Sequence, residues 1–210
     1  MFRGLRAQLE KIKRKAERSG LKQKDFSIIS NNCWGGFVYQ YYDMPYASPF
    51  AGLYLFAPDY IKMLRDLKTY LSEKLIFINP MESRYAALAD ASGELGKYPV
   101  GLLGDIEIHF LHYKDPAEAE DKWVRRVKRI NYDNLIVKFS DRDGCTENLI
   151  AEFAKMDYKR KVCITVKKYD YPSCFQLKDC QEEIPADEWK EFTRRVKLTR
   201  FINNLYASRS

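Results

Sequence analysis

Hydrophobic positions recur along the chain with two different periods, and the switches between them outline its elements. Phe2, Leu5, Leu9, Ile12 and Ala16 fall at spacings of three and four within FRGLRAQLEKIKRKAERS. That spacing predicts a helix with one narrow apolar stripe and a basic remainder. DFSIIS (25–30) predicts a short buried strand. In APDYIKMLRDLKTYLSEK (57–74), Pro58 suits a first turn, and Tyr60, Ile61, Leu64, Leu67 and Leu71 make a stripe, predicting one long helix. LIFI (75–78) predicts another strand, and 81–97 a helix followed by a loop. DIEIHF (105–110) alternates polar and apolar residues without a break, which is strand periodicity. DPAEAEDKWVRRVKRIN (115–131) predicts a helix with Asp115 as cap, Pro116 in the first position and Glu118 as the capping-box acid. NLIVKF, KVCITVK and CFQL predict strands, 146–156 a helix capped by Thr146, and 185–206 one long closing helix.

Strands and helices alternate with short connections. The expected class is therefore α/β: a layered domain with a mostly parallel, mixed sheet flanked by helices, some antiparallel pairing near residues 98–110, and a long C-terminal helix. Residues 1–24 form a basic amphipathic helix, and 25–210 are expected to be a single domain.

Charge changes the picture at one place. Residues 1–24 hold nine Lys or Arg against two Glu, which is the whole of the chain's net charge of +7. The remaining 186 residues are balanced, which argues against nucleic acid as a partner. The rival reading on that point is KWVRRVKRIN (122–131), whose basic residues could meet phosphates. The N-terminal helix either docks its stripe on the body or lies as a peripheral contact on an anionic membrane surface. The longest apolar run, FAGLYLFA (50–57), is far short of the ~20 residues of a membrane span. The five cysteines include no C-x-x-C pair, against a disulfide framework or structural zinc, and the expected compartment is the reducing cytoplasm.

Three stretches carry candidate chemistry. In LIVKFSDRDGCT, an apolar strand ends in Asp141 and Asp143, with Arg142 between them and a helix start beyond. Two carboxylates spaced i, i+2 on a loop can hold Mg²⁺ or Mn²⁺ against a diphosphate, as in many transferases that use nucleotide sugars. The plainer alternative is a turn that caps a helix. In GDIEIHFLHY, strand alternation puts Asp105, Glu107 and His109 on one face. That set suits proton transfer, or else a solvent-facing edge strand. In SNNCWGGFVYQYYDMPYASPF, expected to be an irregular loop, Asn31, Asn32, Trp34 and Gly35 offer amides, a flat ring and close backbone approach to a sugar or base. The alternative there is an aromatic cluster that simply packs the core.

The stretches FSIISNNCWGGFVYQ, PYASPFAGLYLFAPDYIKML, YPVGLLGDIEIHFLHY, AEDKWVRRVKRIN and KFSDRDGCT resemble a bacterial family of domains of unknown function. Its members are often labelled exopolysaccharide or capsular polysaccharide biosynthesis proteins. The resemblance spans roughly residues 26–163. It implies an α/β domain and a cell-envelope glycan context; it brings no catalytic residue. From the residues themselves we expect a glycosyl or related group transferase acting on a sugar or nucleotide sugar. Glu107, His109 and Asp105 would do acid–base work, Asn31, Asn32, Trp34, Gly35 and Arg142 would bind substrate, and Asp141 and Asp143 would hold metal. The alternative is a non-catalytic binding or regulatory module of the same machinery.

Overall fold

The computed structural model describes residues 2–90, 93, 96–178, 180 and 187–207, with side chains from residue 8 on and not at residue 90. In chain order the elements are α1 (Phe2–Ser19), β1 (Ser27–Ser30), α2 (Trp34–Tyr41), α3 (Ala57–Arg65), α4 (Leu67–Ser72), β2 (Leu75–Ile78), α5 (Ala86–Asp90), β3 (Val100–Leu103), β4 (Ile106–His109), α6 (Pro116–Val127), β5 (Leu135–Ser140), α7 (Glu147–Lys155), β6 (Lys161–Thr165), β7 (Cys174–Gln176), α8 (Glu188–Arg195) and α9 (Leu198–Ala207). The protein is α/β, with a parallel sheet in the order β1-β5-β6-β7 flanked by helices. The antiparallel strands do not join that sheet; they form a second one, β2-β3-β4.

Because side chains alternate along a strand, each face of the parallel sheet builds its own core. Ile29, Val137, Phe139 and Cys163 face a core shared with α3, α6, α7 and the antiparallel sheet. Ile28, Ile136, Val162 and Ile164 face a core closed by α2, α8 and α9. The Tyr60 hydroxyl of α3 sits 2.8 Å from the Ile29 carbonyl and 2.9 Å from that of Lys138, pinning the helix over β1 and β5.

Three elements differ from the sequence expectation. The glycine-rich stretch after β1 is helix, not loop. A Cβ on Gly35 would meet Ser30 Oγ at 2.8 Å and Ile28 Cγ2 at 2.9 Å. The glycine lets α2 lie against β1, and that packing outweighs glycine's poor helix propensity. The expected 57–74 helix breaks at Asp66 (φ −145°, ψ 62°), whose carboxylate accepts from Thr69 N and caps α4. The expected closing helix breaks at Val196, in extended conformation, into α8 and α9. Its first residues, 185 and 186, lie outside the described residues, as do 91, 92, 94 and 95 of the expected 81–97 segment and the side chains of Phe2 and Leu5. Among the described residues no helix is long and apolar enough to cross a membrane.

Candidate functional site

A cavity of about 680 Å³ opens where the segments following β1 and β5 meet the start of α8. This is the carboxyl edge of the parallel sheet, where open α/β folds place ligands. Asn32, Cys33 and Trp34 come from the turn into α2, and Arg142, Asp143 and Gly144 from the turn after β5. Asp187, Glu188 and Trp189 come from α8 and its cap. The opposite wall belongs to the antiparallel sheet and its surroundings, chiefly Tyr54, Phe56, Tyr98 and His112.

Beneath the floor lies a buried ion pair. Ile136, Lys138 and Ser140 point to the α2 and α8 face of β5, and Lys138 has no solvent exposure. Its Nζ lies 2.5 Å from Glu188 Oε1 and donates to Asn32 Oδ1 at 3.0 Å and to Ser140 Oγ. Glu188 Oε2 accepts from Asn32 Nδ2 and Ser140 Oγ, each at 2.8 Å. Desolvation pushes the Lys138 ammonium below its usual range, and Glu188 opposes that shift. Asn32 is thus gripped from both sides, and Glu188 is fixed at the pocket floor.

Asp143 and Gly144 take left-handed backbone (φ 56° and 79°), unusual for an aspartate. The conformation is held from outside: Ala57 N donates to the Asp143 carbonyl at 2.8 Å. Asp143 lines the pocket, and its carboxylate accepts from Arg142 Nε at 3.0 Å. Burial raises its carboxyl above the usual range, and Arg142 pulls it down less strongly.

The structure brings together part of the expected set. Asn32, Trp34, Arg142 and Asp143 share the pocket wall. Asn31 is fully buried off the wall, and Gly35 is spent on packing α2 against β1. Asp141 also lies off the wall. Its Oδ2 accepts from Val166 N at 2.9 Å, and burial raises its carboxyl to about 6. The two carboxylates expected to hold Mg²⁺ or Mn²⁺ do not share a cavity wall: Asp143 lines the pocket, while Asp141 lies off it, its Oδ2 on Val166 N and its Oδ1 without a partner among the described residues. Among the described residues no three His, Cys, Asp or Glu side chains are grouped to hold one.

The strand expected to carry Asp105, Glu107 and His109 on one wet or catalytic face is buried on both faces. Glu107 accepts from Ser83 Oγ at 2.5 Å and Arg84 N at 3.0 Å, fastening the 79–85 segment. Asp59 receives Glu107 N, Arg84 and the Tyr85 hydroxyl in the same network. Asp105 lies outside β4, exposed, paired with Lys62 and accepting from the Tyr70 hydroxyl at 2.8 Å. His109 backs the pocket instead of lining it. It stacks on Tyr54 at 4.7 Å between centroids and meets Phe56 and Tyr98 edge-on. Among the described residues neither ring nitrogen has a hydrogen-bond partner, and desolvation drives the imidazole down to about 4.

Sequence reasoning missed Lys138, Glu188, Trp189, Tyr54 and Tyr98. One signal was present: a single lysine inside the apolar run of a parallel strand has no water on either face. Cys33 does line the pocket, but burial pushes its thiol up to about 11, so it is not an activated nucleophile.

A family model described as a domain of unknown function (DUF1919) matches residues 5–206. An uncharacterized protein of Haemophilus influenzae is 34% identical over 174 residues, covering 82% of this chain and 78% of the relative.

Proposed function

The chain belongs to the DUF1919 family, and we propose that it is a group transferase, of glycosyl or related type, whose pocket binds a sugar-containing ligand in bacterial surface-glycan assembly. One observation carries the reading: aromatic faces (Trp34, Trp189, Tyr54, Tyr98) and hydroxyl-binding polar groups (Asn32, Asp143, Glu188) line the same cavity. Sugar C–H faces stack on aromatic rings, and sugar hydroxyls want amide and carboxylate partners.

In this reading Asp143 is the proton-transfer group. It is the pocket carboxylate with a raised affinity for a proton and a strained, externally held backbone. An acceptor hydroxyl would lose its proton to Asp143 as its oxygen bonds to the transferred group, and the leaving group would depart with the electron pair of the broken bond. Glu188, held in place by its ion pair with Lys138, would orient hydroxyls.

Titration of tryptophan fluorescence with a panel of free and nucleotide sugars tests the proposal, because Trp34 and Trp189 line the cavity. A saturable response is expected, weakened in Asn32→Ala and in Trp189→Ala, whose emission must first be referenced to the unliganded variant. Asp143→Asn should bind within a few-fold of wild type and lose turnover. No response to any panel member would overturn the reading; binding without turnover in wild type would favour a non-catalytic module.

A second element supports peripheral membrane contact. Leu9 and Ile12 of α1 are exposed on a basic helix, which suits an anionic bilayer surface.

A further inference from the structure

A smaller cavity of about 210 Å³ adjoins the first and shares Cys33, Phe37 and His112 with it. Its wall differs in kind. Lys122 and Arg126 come from α6, one turn apart, and among the described residues no carboxylate lines it. Arg126 is 8% exposed. Its Nη1 donates to the Tyr113 hydroxyl at 2.7 Å and to the Ala51 carbonyl at 3.5 Å, and its guanidinium lies 4.5 Å from the Tyr46 ring centroid. Among the described residues no acid pairs with it, and its Nε and Nη2 donate to no protein acceptor.

Other cations near the site are matched within the protein. Arg142 has Asp143, Arg84 has Asp59, and Lys138 has Glu188. A guanidinium taken out of water with no anion is strongly unfavourable, and a stacked ring offsets that only in part. The unused Nε and Nη2 donors share one edge of the planar guanidinium, the paired geometry that matches two phosphate oxygens. Lys122 adds charge at the rim; it is paired with Glu118 and lies 5.3 Å from the Tyr113 ring centroid. His112 stands at the junction of the two cavities.

We propose that this cavity is a phosphate subsite, in which Arg126, seconded by Lys122, holds a phosphoryl group. Resting on the reading above, the substrate class narrows to a sugar carrying a phosphate ester, with the sugar in the larger cavity and the phosphoryl group in the smaller one. The Arg142–Asp143 pair is then free for the sugar side, because its charge is already neutralised.

Thermal melting of the full chain tests the subsite, with inorganic phosphate compared against chloride at equal ionic strength. Phosphate should raise the wild-type melting temperature in a saturable way. Arg126→Gln should weaken the apparent Kd tenfold or more, which is about 1.4 kcal/mol per factor of ten. Lys122→Gln should weaken it less, and Lys155→Gln, exposed on α7 and outside both cavities, should leave it unchanged. Should Arg126→Gln fail to fold, Arg126→Lys keeps the charge and loses the fork, and the same weakening is expected. No stabilisation of wild type would overturn the proposal, as would equal stabilisation of every variant, which would mark an adventitious ion only. Phosphate binding that depends on Arg126, with no response to any sugar in the fluorescence panel, would keep the phosphate site and remove the sugar reading.

Discussion

Lys138 and Glu188, fifty residues apart in sequence, meet at 2.5 Å with neither side chain more than 4% exposed. Each is the counter-ion that lets the other be buried. Such a pair is worth little against a well-packed apolar replacement, but breaking it from one side is strongly destabilising. Glu188→Gln and Lys138→Met should each cost about 3–5 kcal/mol on that basis. The double variant Lys138→Met with Glu188→Leu should lose clearly less than the two singles together. Urea denaturation measures all three; simple additivity would mean the charges do not act as a unit.

Asp143 should be less stable than its replacements. Its left-handed backbone and buried carboxylate both work against folding at neutral pH. Asparagine tolerates that backbone and carries no charge, so Asp143→Asn should gain about 1 kcal/mol while turnover is lost. A loss of stability instead would show that the Arg142 contact outweighs the strain.

His109 makes stability fall in acid. Its folded-state value, about 4, lies below the ordinary value of 6.5, so between those values the unfolded chain binds the proton more readily. Stability is intact above about pH 6.5, declines as pH drops, and levels off below about pH 4; the full loss is roughly 3 kcal/mol. Asp141 and Asp143, raised by burial, act in the opposite direction, so the comparison that isolates the histidine is wild type against His109→Phe. The variant should show a flatter acid limb in denaturation midpoints from pH 4 to 7. An identical limb would mean that His109 does not titrate as its burial requires.

Gly35→Ala should destabilise by about 1–3 kcal/mol, the usual range for overpacking, because the new methyl would sit under 3 Å from both Ser30 and Ile28. Gly93→Ala meets nothing within 4 Å and would show only its backbone strain at φ 66°. Calorimetry of the pair separates steric from conformational cost.

For α1, vesicle cosedimentation gives the expected outcome: binding to anionic bilayers at low salt, lost near 0.5 M as the Debye length shortens. Leu9→Glu with Ile12→Glu should abolish it without unfolding, since both side chains are about 60% exposed. Deleting all of 1–24 is the poorer test, because Leu21 is buried in the α2–α9 core.

Local signals were legible. The Asp115 cap accepts from Glu118 N at 2.9 Å, and Thr146 caps α7 through Leu149 N. The strands at 27–30, 75–78 and 135–140 fall where apolar runs predicted them. The site was legible in halves. Asn32–Trp34 and Arg142–Asp143 were identifiable because turn residues follow apolar strands. Glu188 was not, because its role is defined by Lys138, and no local periodicity encodes a partner fifty residues away. Alternation correctly placed Glu107 and His109 on a shared face. It could not reveal that Tyr54 bridges the edge of β4 and that Ser83 and Arg84 satisfy the acid, making a buried face out of a polar pattern.

Among the described residues no strand pairing joins the two sheets. The segment at 54–57 spans them: Tyr54 pairs with His109 of β4, while Leu55 N donates to the Asn31 carbonyl and Ala57 N to that of Asp143. The larger cavity takes one wall from each side of that seam, so an occupant acts as a clasp. In the empty protein the amides of β2–β4 should exchange with solvent at an opening energy distinct from those of β1, β5 and β6. Saturation should bring the two sets to a common, higher value, turning two cooperative units into one.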